Sequence, residues 1–511
     1  MKDATKPRAH WALRALSAIV TGGLKLLWVA LVVVAPLFAA WLASSLAAHS
    51  GGSTRVAIAS ALLVFPVVPV LWELVARWRH ARAPKAKPRV LTTVDRLVLR
   101  TLFASLVFVG VLLARSPQRV FLSLNSRGDW MLDGRAEPWV PAARRALLRA
   151  AARSQWLYTL TDNNPLHRPG TTPPPRPIET RRTIAPTSPP PSQQPAPPQA
   201  NSPSTATPVD PPRPQEPPRD PRAWPVAAEL HVAVRELPAS EERSPRSVAR
   251  YLASRITDPF ELAKAVHDYV ADRVAYDVPS YRAGRYPPQD ANTVFRTRLS
   301  VCAGYAALFE VIARAAGLEV VTIVGRARGS TRDGMGEGHA WNAVRLENQW
   351  RLIDTTWDAG GVDATGFHKR FSTMYFLTPP EVFLARHWPD HARWQLVSPA
   401  RTAGEYLRMP LLRPEFFAHG LTLLEPTRPE LDVRGSFEVR VENPRGRSLI
   451  AALDRDGGGE SRRCTADDPT ANSVRFLCVP PEQGTFRLEL YASEQRYGEH
   501  ENVGSIDVHY R

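Results

Sequence analysis

The motif Ser300-Val301-Cys302-Ala303-Gly304-Tyr305 is the most informative part of this 511-residue chain for predicting the fold of its centre. Two later stretches complete the pattern: Gly338-His339-Ala340-Trp341-Asn342 and Leu352-Ile353-Asp354-Thr355-Thr356-Trp357. Each stretch contains one member of the set that an activated cysteine requires, namely a thiol, an imidazole and a carboxylate. The three stretches therefore predict a nucleophilic site formed by Cys302, His339 and Asp354.

Cys302 is predicted to begin an amphipathic helix. The dipole and the unpaired N–H groups of a first helical turn favour a thiolate over a thiol at this position. The backbone N–H of Cys302 is also a natural oxyanion donor. Gly317 stands where a C-cap is expected. Apolar residues recur at helical spacing between these two ends, at Tyr305, Leu308, Phe309, Ile312 and Ala316.

Residues 339–346 and 349–357 are predicted to form two strands joined by the turn Glu347-Asn348. A two-residue turn pairs Leu346 with Gln349, and this register places Trp341 opposite Asp354. Because side chains alternate between the faces of a strand, His339 becomes the diagonal neighbour of Asp354 on one face. Asp354 could then hold the imidazole in the tautomer that accepts a proton from the thiol.

With these motifs, the chain from about Ser247 to Val397 resembles the transglutaminase-like superfamily, a papain-related group of Cys-His-Asp enzymes. The helix Phe260–Val270 and Gly325 belong to the same resemblance, although many members have Pro where this chain has Thr355. The resemblance implies an α+β papain-like catalytic domain in which Cys302 is the nucleophile, His339 the general base and acid, and Asp354 the residue that orients His339. The kyphoscoliosis-peptidase-like branch is indicated by Tyr375–Glu381, His387, Pro389 and Trp394–Leu396.

Three further residues are candidates for the pocket around this site. Gln289 is a candidate second oxyanion donor, as a Gln is in papain-like enzymes, and the alternative is a solvated loop residue. Trp341 and Trp357 are predicted to be core and pocket walls. No metal site and no cofactor are predicted, because the remaining histidines lack a convincing ligand spacing: His368, His387 and His391.

Three apolar stretches precede this domain, at about residues 26–48, 56–76 and 97–114. Each is about as long as is needed to cross a ~30 Å hydrocarbon core, and the alternative for the third is a buried or interfacial helix. The net charge of +16 is concentrated here, since residues 1–120 contain 16 basic and 3 acidic residues. This distribution argues against nucleic-acid binding, because the charge flanks the apolar stretches.

The basic residues lie before the first apolar stretch and between the second and third. The positive-inside rule therefore predicts a cytoplasmic N-terminus and, after three crossings, catalytic and C-terminal domains outside the cytoplasm. If the third stretch does not span, these domains would be cytoplasmic. Cys464 and Cys478 are a disulfide candidate that fits an oxidising compartment, and the alternative is two reduced, buried cysteines.

The rest of the chain is divided by composition. About a third of residues 165–225 are proline, which predicts a disordered spacer that holds the catalytic domain at a distance from the membrane. Residues 227–238 are predicted to be a lead-in strand, and short alternating strands after residue 424 predict a β-sandwich. The predicted division is a transmembrane region at 1–120, a juxtamembrane region at 121–164, the linker at 165–225, the catalytic domain at 226–400, a connector at 401–423 and the accessory β-sandwich at 424–511.

These features predict a membrane-anchored cysteine enzyme that acts on protein or peptide amides through a thioester acyl-enzyme. Hydrolysis by a peptidase or amidase is favoured over crosslinking, because no acidic Ca²⁺ loop is recognisable near the site. The expected partners are a protein or peptide substrate, a cell-envelope component among them, and the membrane. The alternative is a non-catalytic envelope scaffold that retains the fold.

Overall fold

The computed structural model describes residues 7–82, 90–133, 135, 137–159, 222–329 and 334–511. Nearly all of the linker predicted at 165–225 lies outside these residues.

The N-terminal region is helical. Three of its segments are long and apolar enough to cross a membrane, namely Thr21–His49, Thr54–Ala81 and Thr93–Arg115, and each contains one of the predicted apolar stretches. The second segment changes to a wider helical turn at Leu63–Val67, where Pro66 cannot donate a backbone hydrogen bond. The helices are α1 (Pro7–His49), α2 (Thr54–Leu62), α3 (Val68–Ala81), α4 (Thr93–Arg115), α5 (Pro117–Arg127), α6 (Val140–Ala152) and α7 (Gln155–Thr159).

The central domain combines helices with one antiparallel sheet of five strands. Its elements are α8 (Val232–Arg235), α9 (Pro245–Arg255), α10 (Pro259–Arg273), β1 (Ala275–Tyr276), α11 (Val278–Ala283), α12 (Ala291–Thr297), β2 (Leu299–Ser300), α13 (Cys302–Ala315), β3 (Glu319–Ala327), β4 (Glu337–Leu346), β5 (Gln349–Ile353), β6 (Gly360–Val362), β7 (Phe367–Lys369), β8 (Phe376–Thr378), α14 (Pro380–Phe383) and β9 (His387–Pro389). The strand order is β8-β5-β4-β3-β9. One core lies between the sheet and helices α10 and α13, and a second, aromatic cluster contains Trp341 and Phe383.

The helix and the tight hairpin turn predicted around the site are confirmed, but the second strand ends at Ile353 and not at Trp357, because the chain turns at residues 355–359. Helix α13 begins at Cys302, and Gly317 follows its end with a φ of 96°, which only glycine adopts readily. Leu346 pairs with Gln349, as the two-residue turn requires. Glu347 and Asn348 both have positive φ, the conformation of the type I′ turn that suits tight hairpins.

The lead-in strand predicted at residues 227–238 is wrong, because this segment contains the short helix α8. The backbone of this segment is held by side chains of α10, and not by hydrogen bonds to a neighbouring strand. The backbone N–H of His231 donates to Asp268 at 2.7 Å, and Lys264 donates to the carbonyl of Glu229 at 2.7 Å. These side-chain partners satisfy backbone groups that would otherwise need the hydrogen bonds of a neighbouring strand.

The C-terminal region is rich in strands. Its elements are α15 (Ala403–Leu407), β10 (Leu411–Leu412), α16 (Pro414–Ala418), β11 (Thr422–Glu425), β12 (Glu430–Val433), β13 (Phe437–Glu442), β14 (Ser448–Arg455), β15 (Arg462–Arg463), β16 (Thr465–Ala466), β17 (Ser473–Cys478), β18 (Gly484–Ser493) and β19 (Glu501–Tyr510). One sheet has the order β10-β19-β18-β14-β15, with β12 also paired to β19, and the other has the order β11-β13-β17-β16.

Both C-terminal sheets contribute to one apolar core. Strand β10 and the first half of β11 come from residues 401–423, so the segment predicted to be a connector contributes to an edge strand of each sheet. Cys464 and Cys478 form a disulfide beside the paired strands β16 and β17. Cys302 is therefore the only free thiol among the three cysteines of the sequence.

The predicted separation between the membrane anchor and the later domains is wrong, because the two parts are in direct contact. Met335, just before β4, is 3% exposed and lies in one apolar cluster with Phe121 of α5 and Tyr406 of α15. Asp129 is fully buried and pairs with Arg144, Arg408 and Arg428. The length of a flexible linker limits how far two domains can move apart, but it does not prevent them from docking.

Candidate active site

Cys302 occupies the first position of α13. The short strand β2 pairs in parallel with β1 and leads the chain into this helix. Val301 at the N-cap carries no side-chain acceptor, so the first N–H groups of the helix stay available for an anion. The Cys302 side chain is buried, with 5% of the residue exposed.

The turn before Cys302 is closely packed. A Cβ at position 304 would lie 2.0 Å from Ser300 Oγ, so only glycine fits there. Gln289 Oε1 accepts hydrogen bonds from Ser300 Oγ at 2.7 Å and from the Val301 N–H at 3.1 Å. Gln289 Nε2 donates to the carbonyl of Pro287 at 2.8 Å, so this amide points away from an oxyanion role and braces the turn instead.

His339 lies near the start of β4. Its paired residue in β3 is Gly325. A Cβ at position 325 would lie 2.6 Å from the Trp341 ring and 2.3 Å from the carbonyl oxygen of Trp388, so a larger residue would not fit there. Asn342 Nδ2 donates to the carbonyl of Ala306 in α13 at 3.1 Å. This hydrogen bond fixes the strand that carries His339 against the helix that carries Cys302.

His339, Asp354 and Cys302 lie together at one place. His339 Nε2 lies 2.7 Å from Asp354 Oδ2, and the Cys302 side chain is near enough to His339 to raise its pKa. Because Nε2 is engaged by Asp354, Nδ1 is the nitrogen left for Cys302. Asp354 Oδ1 accepts the backbone N–H groups of Thr356 at 2.9 Å and Trp357 at 3.2 Å.

The charges of these groups support one another. Burial alone would lower the pKa of His339, but the charge of Asp354 and the neighbouring Cys302 side chain outweigh it and raise the pKa to about 10. Burial would raise the pKa of Asp354, but its bonds to His339 and His387 hold that pKa well below its usual range. At neutral pH the pair is therefore an imidazolium and a carboxylate.

The comparison with known families agrees with this geometry. Residues 246–355 match the model of the transglutaminase-like superfamily, and residues 404–510 match that of a KY-like, immunoglobulin-like domain. The central domain belongs to the transglutaminase-like superfamily.

Individual relatives point to one branch of this superfamily. Kyphoscoliosis peptidase of Mus musculus is 30% identical over 242 residues, which cover 45% of this chain and 36% of the mouse protein. The Homo sapiens protein of that name is 29% identical with the same coverage, and hillarin of Drosophila melanogaster is 24% identical over 37% of this chain and 27% of that protein. The similarities support the kyphoscoliosis-peptidase-like branch, although the chain spans only about a third of the length of these relatives.

Aromatic rings surround the histidine of the transglutaminase-like domain. Trp341 is 1% exposed and stacks on His339 with ring centroids 6.0 Å apart. Trp357 is half-buried, and its centroid lies 5.5 Å from that of His339. Trp341 is thus a wall behind the imidazole, whereas Trp357 reaches the outer side of the pocket.

His387 was not predicted to belong to the site, but the structure places it beside Asp354. Its Nε2 lies 3.0 Å from Asp354 Oδ2, the oxygen that also bonds His339. His339, Asp354 and His387 offer nitrogen and oxygen atoms within 4.8 Å of one another, which are ligand types that transition metals accept. Both separations to Asp354 are hydrogen-bond lengths, so protons on the imidazoles account for the arrangement.

A second set of hydrogen-bonded polar side chains connects helix α10 to the loop that follows Asp354. His267 is fully buried between two carboxylates, with Nδ1 at 2.9 Å from Asp268 and Nε2 at 3.0 Å from Asp358. Burial opposes its charged form, but the hydrogen bonds to both aspartates raise the pKa of His267 above its usual value. Lys264 pairs with Asp268 at the other end. These contacts fix helix α10 against the loop 354–358. In the sequence, the only local sign of this second set of polar side chains is Asp358, which follows Asp354 by four residues.

Proposed function

We propose that this protein is a membrane-anchored cysteine enzyme that cleaves amide bonds of proteins or peptides through a thioester acyl-enzyme. The observation that carries the proposal is the grouping of Cys302, at the start of α13, with a His339 that is hydrogen-bonded to Asp354. A cationic His339 beside Cys302 favours the thiolate that attacks a carbonyl.

The chemistry follows from this arrangement. The Cys302 thiolate attacks the carbonyl carbon, and the backbone N–H of Cys302 stabilises the oxyanion of the tetrahedral intermediate. The C–N bond then breaks as His339 gives its proton to the leaving nitrogen, which leaves a thioester on Cys302. A water molecule, deprotonated by His339, attacks the thioester, and the C–S bond breaks to release an acid and restore the thiolate.

Hydrolysis of the acyl-enzyme by water is a better proposal than crosslinking by an amine. Two relatives carry the word peptidase in their names, and no acidic Ca²⁺ loop is recognisable near the site. An amine in place of water would instead give a new amide and make the protein a protein-glutamine acyltransferase.

We propose an extracytoplasmic position for the site, in a papain-like α+β domain followed by an accessory β-sandwich. The three apolar helices and the basic flanks support this orientation. His49, at the end of α1, lies 3.0 Å from Ser126 of α5 in a hydrogen bond. This contact supports a topology in which the loop after α1 and the juxtamembrane helices lie on the same side of the membrane. The disulfide Cys464–Cys478 is also typical of an oxidising compartment.

The test is to incubate the full chain in detergent with a mixture of glutamine-containing peptides, with and without methylamine, and to analyse products and protein by mass spectrometry. We expect cleaved or deamidated peptides and a transient acyl adduct on Cys302, all absent from Cys302→Ala. Methylamide products in place of acids would overturn the preference for hydrolysis. The absence of every Cys302-dependent product and adduct would favour the scaffold alternative.

A further inference from the structure

His387 approaches the candidate site from the edge of the sheet. It begins strand β9, which pairs with β3 on the side opposite β4. Although 48 positions separate it from His339 in sequence, the two imidazoles reach the same carboxylate oxygen, at 2.7 Å from His339 and 3.0 Å from His387. His387 is fully buried.

The hydrogen bonds fix the tautomer of His387. An ionised Asp354 can only accept, so His387 Nε2 must carry a proton. Nδ1 has no hydrogen-bond partner within the part of the chain that the structure describes. Burial lowers the pKa of His387 to about 4, against the opposing effect of Asp354. His387 is therefore a neutral donor at neutral pH.

The ring of His387 is held by aromatic neighbours. Its centroid lies 4.0 Å from that of Phe383, 4.5 Å from that of Trp357 and 5.2 Å from that of Trp341. Rings packed this closely leave the imidazole little freedom to turn. They also keep water away from this side of Asp354, which makes a protein donor to its oxygen more important.

We propose that His387 is a positioning residue that holds Asp354 in the orientation from which it aligns His339 with Cys302. Backbone N–H groups fix one oxygen of Asp354, and His387 fixes the other. Because the donor is neutral, it orients the carboxylate without adding a positive charge that would compete with the His339 imidazolium. The inference rests on the proposed function, since only a reactive Cys302 requires this alignment.

The test compares His387→Gln with His387→Met, in the full chain in detergent. The two side chains have nearly the same length, but only Gln offers an N–H at the end. The readout is the rate constant for alkylation of Cys302 by iodoacetamide at pH 6, which requires no knowledge of the substrate. Thermal unfolding of each variant is measured in parallel, and His387→Leu takes the place of the Met variant if that variant fails to fold.

We expect the Met variant to react about 10- to 100-fold more slowly than the wild type, as the loss of a hydrogen bond to a charged group implies. The Gln variant should stay within about threefold of the wild type. Equal rates in all three proteins would overturn the inference, and so would equal slowing in both folded variants, because ring packing alone would then matter. A wild-type rate that His339→Ala leaves unchanged would instead mark the failure of the proposed function itself.

Discussion

Replacing Asp354 with Asn is expected to slow the alkylation of Cys302 at pH 6 by about 100-fold, and any turnover of substrate by about 10³- to 10⁴-fold. The backbone N–H groups of Thr356 and Trp357 would keep the amide oxygen of Asn at the Oδ1 position. The amide NH₂ would then face the two imidazoles. His339 Nε2 would have to accept a hydrogen bond, and its proton would move to Nδ1, where it could no longer take the proton of Cys302.

Asp363→Asn is the matched control for this experiment. Asp363 is an exposed carboxylate in the same domain, bonded to Thr365 in its own turn. Its replacement should leave the alkylation rate of Cys302 unchanged. Because Asp354→Asn is nearly isosteric, both variants are expected to fold. A wild-type rate for folded Asp354→Asn would contradict the role given to this carboxylate.

Replacing Asp129 with Ala is expected to destabilise the full chain by about 3 to 5 kcal/mol, because a buried carboxylate would be removed from its cationic partners. Asp129 is fully buried and accepts from Arg144 Nε at 2.7 Å and from Arg408, while Arg428 lies 3.7 Å away. These ion pairs join the juxtamembrane helices to the C-terminal region. Thermal unfolding in detergent should show a Tm lowered by about 3 to 5 °C.

The contribution of Asp129 to the free energy of unfolding should depend on pH. Burial would raise the pKa of Asp129, but the charges of Arg408 and Arg428 outweigh it and lower the pKa. A lowered folded-state pKa stabilises the fold above the unfolded value of about 4, and this contribution is lost as the pH falls through the folded value. Asp133→Ala serves as the milder comparison, since Asp133 is a third exposed and shares only Arg428 with this network, for a loss of about 1 kcal/mol. Equal Tm values for the Asp129 and Asp133 variants would show that the docked arrangement does not depend on this buried network.

The parts of the site that could be predicted from sequence are those fixed by local rules. The helix that begins at Cys302 follows from the spacing of its apolar residues and from Gly317. The meeting of His339 and Asp354 follows from a two-residue turn and from the alternation of strand faces, which together fix the register of β4 and β5. In each case a short stretch of chain contains the whole physical cause.

The parts that could not be predicted depend on contacts between distant segments. His387 reaches Asp354 only because β9 pairs with β3, and no pattern in the sequence specifies that pairing. The apolar cluster that contains both Met335 and Phe121, and the pairing of Asp129 with Arg408, join segments on either side of a long proline-rich stretch whose composition suggests separation. Gln289 was a candidate oxyanion donor by resemblance, but its orientation is decided by Ser300 and Pro287.

The most direct test of the proposed Cys302–His339 pair is the rate of alkylation of Cys302 at pH 6 in the full chain, compared between the wild type and His339→Ala. Cys302→Ala supplies the blank, and His368→Ala, which removes an exposed histidine of the same domain, is the matched control. An ordinary thiol is less than about 1% ionised at this pH, so fast labelling requires a thiolate stabilised by its surroundings. We expect fast labelling in the wild type and the His368 variant, and a loss of about 100-fold in His339→Ala. Slow labelling that is the same with and without His339 would contradict the proposed pair.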